Sequence, residues 1–177
     1  MTGMSAVVQA REEVSEDARR ALRRVLGTFG TGVTVVTTRH PDGMLVGVTA
    51  NSFTSVSLDP PIVAWSLQTR SPSLEAFRRS GGFAINVLSI EQQALSAQFS
   101  RPAADKFHGV AWRPGLNGLP LLEDCVATLE CTVVQAHEVG DHVMLFGRVE
   151  RHSCHDAQDP LIYCRGRYAQ AVSLSTF

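Results

Sequence analysis

GVTANSFTSVSLDPP, residues Gly47–Pro61, is the stretch on which the reading of this chain turns. Thr49, Asn51, Ser52, Thr54, Ser55 and Ser57 crowd hydroxyl and amide groups into one short segment. Strand-like sequence flanks it: TGVTVVTT at 31–38 before, and IVAWSL at 62–67 after the Pro60-Pro61 pair. One explanation is a Ser/Thr-rich turn between two strands, because these residues hydrogen-bond readily to nearby backbone. The other is a binding site. Neutral donors and acceptors suit a large, flat, polar-edged ring that must stay redox-active, since a fixed charge beside it would bias its potential.

Working outward, the body of the chain reads as β. Gly32–Thr38 is β-branched, HPDG at 40–43 is a turn, and Met44–Ala50 completes a hairpin. Ile62–Leu67 and Phe83–Leu88 are further strands. Val126–Ala136 alternates, with Ala127, Leu129, Cys131 and Val133 on one face. EVGD then turns the chain into His142–Glu150, and Pro160–Ala171 supplies a last strand. Short helices are expected from Pro72 to Gly81 and over Ile90–Ser100. RPAADKF and the Gly- and Pro-rich Pro114–Pro120 read as loops. Six or more strands with tight turns and few helices favour an antiparallel barrel over a parallel sheet.

Before the first strand, Ser15 caps a predicted helix with Glu16 and Asp17 in its first turn. Leu22, Val25, Leu26 and Phe29 recur at helical spacing, with Arg19, Arg20, Arg23 and Arg24 largely off that stripe. The pattern predicts an amphipathic helix that packs on the body of the protein and stops at Gly30 and Gly32. The glycines of GTFGTG, 27–32, follow a helix and open a strand, the reverse of a dinucleotide-binding turn. They read as a helix stop and a close-packed turn.

At 177 residues the chain is long enough for one domain with its own core, expected over 15–177 behind a loose tail at 1–14. Hydrophobic residues make up 44% and charged residues 19%, the composition of a globular protein. The net charge of −1 comes with no basic block, which argues against nucleic acid or an anionic membrane as partner. No apolar run approaches the roughly 20 residues that span a bilayer, and MTGMSAVVQAREEV lacks the basic start of a signal peptide. Cys125, Cys131, Cys154 and Cys164 have neither CxxC nor zinc-like spacing, so no metal is expected. Cys125 and Cys131 fall on one face of one strand, too far apart to bridge. All four read as small core residues in a reducing cytoplasm.

Three further clusters carry possible chemistry. SLQTRSPS, 66–73, combines Arg70 with the hydroxyls of Thr69, Ser71 and Ser73 before a helix start. It is either an anion site or a solvated helix cap. FSRPAADKF, 99–107, brings Ser100, Arg101 and Lys106 into one loop, able to hold a phosphate or to remain solvated. His142 follows Gly140-Asp141 at a strand start, where a lone histidine is usually structural or exposed.

Taken in order, TGVTVVTT, GVTANSFTSVSLDPP, FAINVL, LSAQFS, DKF, GDHVMLFGRV and YCRGRY resemble the flavin reductase family, from Leu22 to Ala171. These are the reductase components of two-component flavin-dependent monooxygenases. The resemblance implies a mostly β protein, a six-stranded antiparallel Greek-key split barrel with a few short helices. It implies that Val46, Gly47, Val48, Thr49, Asn51 and Ser52 line the isoalloxazine ring. Ser66, Leu67, Gln68, Thr69, Arg70, Ser71 and Ser73 would wrap the ribityl chain and phosphate, and Ser100, Arg101 and Lys106 match a further phosphate-holding segment. His142 would lie beside the nicotinamide, as would Tyr163, Arg165, Gly166 and Tyr168, although Arg167 stands where small or acidic residues are common.

The activity implied is hydride transfer from C4 of NADH or NADPH to N5 of FMN or FAD, with the reduced flavin passed to a monooxygenase. A homodimer that binds flavin near the subunit boundary is also implied. A flavin-storing or flavin-sensing split barrel without turnover is the alternative, and a pyridoxine phosphate oxidase would need an additional basic pocket that the sequence does not offer. The nicotinamide-side residues, His142 and Tyr163–Tyr168, favour the enzyme.

Overall fold

β-Branched residues run without a break from Thr34 to Thr38 and recur in Leu45–Ala50, and the two segments make a hairpin around the turn at 41–43. In the computed structural model, which describes residues 15–155 and 158–172, that hairpin begins the main sheet. The expected tail at 1–14 lies outside the described residues. In chain order the elements are α1 (Glu16–Leu26), β1 (Thr31–Gly32), β2 (Thr34–Arg39), β3 (Leu45–Ala50), β4 (Thr54–Leu58) and β5 (Pro61–Gln68). There follow α2 (Leu74–Arg79), β6 (Gly82–Val87), α3 (Gln93–Ser100), β7 (Trp112–Pro114) and β8 (Pro120–Leu122). The long hairpin β9 (Ala127–Val139) and β10 (His142–Cys154) is followed by β11 (Leu161–Cys164) and β12 (Arg167–Gln170).

Seven strands pair antiparallel in the order β3-β2-β6-β9-β10-β5-β4. The two ends of that order, β3 and β4, are consecutive in sequence and joined only by residues 51–53. The sheet must therefore curl until its edges approach. Register shifts at Phe146/Gly147 and Val149/Arg151 in the β9–β10 ladder, and at Ser55/Ser57 against β5, add the bends. The barrel stays split where β3 faces β5. Smaller sheets, β1-β11-β12 and β7-β8, lie outside it.

The period of two explains why β2 is buried along almost its whole length. Val36 joins the cluster of Trp65, Phe77, Phe83, Ile85 and Leu145, whereas its neighbour Val35 joins a second cluster with Leu88, Phe99, Phe107 and Leu161. Trp65 meets Phe77 and Phe83 edge-on at centroid distances of 4.8 and 5.9 Å. Asn86 is buried between β2 and β8, with its amide donating to Val35 O and Thr37 Oγ1 and its oxygen accepting from Leu122 N. That network leaves no polar atom of Asn86 unpaired in the interior.

The mostly β, antiparallel expectation holds. The barrel sheet has seven strands where six were expected, and the described residues add five short strands in two smaller sheets. Pro160–Ala171 is a hairpin rather than one strand, because Arg165 and Gly166 take positive φ values of 51° and 76° and reverse the chain. Pro114–Pro120 ends in the short β7–β8 pairing and is not all loop. α2 starts at Leu74, two residues after Pro72. Leu129, Cys131 and Val133 share the barrel-side cluster as their alternation required, but Cys125 precedes β9 and packs in the second cluster. Cys125 and Cys131 are buried, and burial pushes both thiols up to about 12. Cys154 is exposed and Cys164 half-buried, so neither is a core residue.

α1 departs furthest from expectation. Ser15 caps it by accepting from Ala18 N, and it stops at Gly27, whose N–H donates to Arg23 O while Thr28 N donates to Val25 O. Its apolar stripe does not pack on the body of the chain: Leu22, Val25, Leu26 and Phe29 are 56, 66, 63 and 78% exposed. The helix end is instead fastened through backbone, with Arg165 N donating to Gly27 O at 2.6 Å.

Candidate active site

The split between β3 and β5 opens into a cleft of about 900 Å³, within the size range of cofactor pockets. Three segments line it. β3 and the 51–52 link supply Val46, Gly47, Val48, Thr49, Asn51 and Ser52. The end of β5 and the turn after it supply Ser66, Leu67, Gln68, Arg70, Ser71 and Ser73. The third segment, after α3, brings Ser100, Arg101 and Lys106. His142 stands at the start of β10, paired in register with Gln68, and lines the same cleft. Motifs far apart in sequence therefore meet in one place.

Several of these hydroxyls are already engaged. Ser52 Oγ accepts from Ser66 N at 2.9 Å and donates to Ser66 O at 3.1 Å, which clips the 51–53 link to β5. Thr49 Oγ1 donates to Ser96 O at 2.7 Å, and Ser100 Oγ donates to Ala97 O at 2.8 Å. Asn51 is exposed, with no side-chain hydrogen bond to other described residues. Thr54, Ser55 and Ser57, the rest of the polar run, lie on β4 outside the lining.

Thr69 does not line the cleft. Its N–H and Oγ1 both donate to Asp141 O, at 2.9 and 3.2 Å, and so pin the β9–β10 turn beside the end of β5. On that turn Asp141 Oδ1 lies 2.7 Å from His142 Nδ1, and this hydrogen bond holds the Asp141 carboxyl below the usual carboxylate range. The imidazole is thereby oriented through Nδ1, which leaves Nε2 available. Arg70 Nε donates to Gln68 Oε1 at 3.0 Å, a contact that steadies the guanidinium at the cleft edge.

Tyr163, Arg165, Gly166 and Tyr168 are on the β11–β12 hairpin and do not line the cleft within one chain. Tyr163 and Tyr168 meet edge-on at 5.7 Å. Tyr168 is one residue removed from the site: its hydroxyl is 2.9 Å from Ser96 Oγ, and the Ser96 carbonyl holds Thr49.

The cleft also uses residues that sequence reasoning passed over. Phe99 is fully buried beneath Gly47, where any Cβ would overlap its ring. The signal was present in the pairing of a side-chain-free position on a strand with an aromatic in LSAQFS. His40, Met44 and Glu75 also line the cleft, and His40 Nδ1 is 2.8 Å from Asp42 Oδ1.

These donors fit a flavin. Leu45, Val46, Val48 and Leu67 offer apolar surface to a flat ring, and the neutral amide of Asn51 suits its polar edge. Arg70 and Arg101 supply cations for a phosphate.

Residues 26–171 match the family model described as the flavin reductase like domain, and the chain belongs to that family. It is 46% identical over 149 residues to a Rhizobium meliloti protein named "Probable flavin reductase", covering 84% of this chain but 48% of the relative. The chain thus spans about half the length of that relative. Against the reductase subunit HsaB of a flavin-dependent monooxygenase from Mycobacterium tuberculosis, identity is 43%, over 84% of this chain and 80% of HsaB. It is 40% identical to the FMN reductase (NADH) SmoA of Agrobacterium fabrum, over 96% of this chain and 98% of SmoA. Among solved structures, the Streptomyces globisporus NADH:FAD oxidoreductase SgcE6, in complex with NAD and FAD fragments, superposes with a TM-score of 0.85 at 35% identity. That match covers 93% of this chain and 99% of SgcE6.

Proposed function

We propose that this chain is an NAD(P)H:flavin oxidoreductase that reduces FMN or FAD and supplies the reduced flavin to a partner monooxygenase in a reducing cytoplasm. The observation that carries the reading is the convergence of β3, the 66–73 segment, the 100–106 loop and His142 on one cleft, in a chain whose relatives include an NADH-dependent FMN reductase and a monooxygenase reductase subunit. Among the described residues, no helix is long and apolar enough to cross a membrane.

When bound, the flavin supplies the hydride-accepting chemistry, and the nicotinamide supplies the hydride. The chain's own residues have the work of placement. β3 and Asn51 present neutral hydrogen-bonding groups, which can support developing negative charge without a fixed cation at the ring. Arg70, Ser71, Ser73 and Arg101 form the phosphate end. His142, oriented by Asp141, borders the space left for the second ring, which must be held at about 3–3.5 Å between reacting atoms. Tyr163, Arg165, Gly166 and Tyr168 are assigned to the nicotinamide cofactor, in keeping with the link from Tyr168 through Ser96 to Thr49.

The division into ring and phosphate ends has a direct test. Asn51→Ala or Ser52→Ala is expected to weaken FMN and riboflavin alike, by about 0.5–3 kcal/mol according to whether a buried partner is left unpaired. Arg70→Ala should weaken FMN and spare riboflavin, which has no phosphate. Fluorescence titration decides this, and uniform losses across both ligands would remove the two-ended assignment. Steady-state NAD(P)H oxidation with each flavin and each nicotinamide then identifies the preferred pair.

The working unit is proposed to be a homodimer. The exposed Leu22–Val25–Leu26–Phe29 stripe supports this, since an apolar face of that extent on a helix gains from a second surface. Sedimentation should show a dimer at micromolar concentration, with flavin affinity falling on dissociation. A monomer with undiminished affinity would count decisively against it.

A further inference from the structure

Lys106 is placed differently from the two arginines near it. Its Nζ donates to Phe99 O at 2.8 Å and to Gly47 O at 3.2 Å, so two of its three N–H groups are used inside the protein. Those carbonyls belong to different walls. Gly47 is on β3, and Phe99 is in the last turn of α3, where the 100–106 loop begins. The side chain is half-buried, and burial lowers its pKa below the ordinary lysine range. Arg101, by contrast, is exposed at the cleft.

Gln98 fastens the far end of the same loop. Its Nε2 donates to Lys106 O at 2.8 Å and to His108 O at 3.1 Å. Asp105 Oδ1 accepts from Phe107 N at 2.9 Å. Between these ties, Arg101, Pro102, Ala103 and Ala104 form one wall of the cleft. Of the cleft-lining residues in this wall, only Lys106 reaches across to β3 through a side-chain hydrogen bond.

We propose that Lys106 is a positioning residue, a latch that holds the 101–105 wall against β3 through Gly47 and Phe99, rather than a direct ligand of the flavin phosphate. The proposal rests on the flavin-binding reading of the cleft. It differs from that reading in what it forecasts: a phosphate ligand matters only to a phosphorylated flavin, whereas a latch shapes the wall for any flavin.

The test combines two variants and two readouts. Lys106→Met keeps the aliphatic stem and removes the donors. Gln98→Leu loosens the same loop from a residue outside the cleft lining, so ligand contact cannot explain its effect. Binding of FMN and riboflavin is measured by fluorescence titration, and amide hydrogen exchange is followed in the ligand-free protein. Both variants should weaken FMN and riboflavin by similar factors, on the order of tenfold for Lys106→Met, and both should speed exchange at 101–105 and at Gly47–Thr49. Loss confined to FMN in Lys106→Met, or exchange unchanged in both variants, overturns the latch. If the wild-type protein bound neither flavin, the flavin reading would fall, and the exchange rates would still decide whether Lys106 holds the loop.

Discussion

His142→Ala is expected to leave the flavin dissociation constant nearly unchanged while lowering kcat/KM for NAD(P)H by about 10- to 100-fold. The asymmetry follows from where the imidazole stands. It borders the cleft at the first residue of β10, apart from the β3 residues assigned to the ring. Its orientation is built from outside the flavin contacts, through Asp141 Oδ1 on Nδ1 and Thr69 on the Asp141 carbonyl. Hydride transfer takes no proton from the protein, so misplacement of the nicotinamide is the loss to expect. A general-acid role would instead give the wild type a pH dependence that the alanine variant lacks. The Asp141 carboxyl is held down by His142, so this orienting contact persists above the ordinary carboxylate range and is lost only as pH falls through the lowered value. Stopped-flow reduction of the flavin-loaded variant checks the claim, and wild-type rates would end it. Lost stability with both cofactors affected together would show a structural residue instead.

What could be read from sequence followed local composition and periodicity. β-Branched content marked β2, alternation marked β9, and the hairpins at 41–43 and 140–141 were legible from Pro, Asp and Gly. The polar run at 49–57 was only half legible as a site. Thr49, Asn51 and Ser52 reach the cleft, but the strand resumes at Thr54 and carries Thr54, Ser55 and Ser57 away from it. Arg165 concealed a turn because a non-glycine residue at positive φ is uncommon, and the Leu161–Gln170 pattern then reads as one strand. The amphipathicity of α1 was plain from spacing, yet periodicity gives the direction of an apolar face and not the surface that covers it. Thr69 shows a similar limit. Its hydroxyl sits within a polar motif, and only the β5–β10 pairing turns it onto Asp141. His40 reaches the cleft from beside the β2–β3 turn, through contacts that no local pattern encodes.

Gly47→Ala and Phe99→Ala should each destabilise the protein, and together they should cost less than their sum. The Phe99 ring is fully buried and fills the space over Gly47, meeting Phe107 edge-on at 5.1 Å. Truncating it removes a core aromatic, at about 3–5 kcal/mol. A methyl at Gly47 has nowhere to go while that ring is in place, and overpacking of this kind costs about 1–3 kcal/mol. In the Phe99→Ala background the methyl enters the cavity and recovers part of the lost packing, so a coupling of about 0.5–3 kcal/mol is expected. The substitutions also reach function, because Gly47 O and Phe99 O are the two anchors of Lys106. Displacing the ring moves both anchors together, and flavin affinity should fall even where the fold survives. Chemical denaturation of the four proteins gives the coupling, and fluorescence titration gives the affinity. Strict additivity, or a Gly47→Ala protein that binds flavin as the wild type does, would show that the ring and the strand are not packed as one unit.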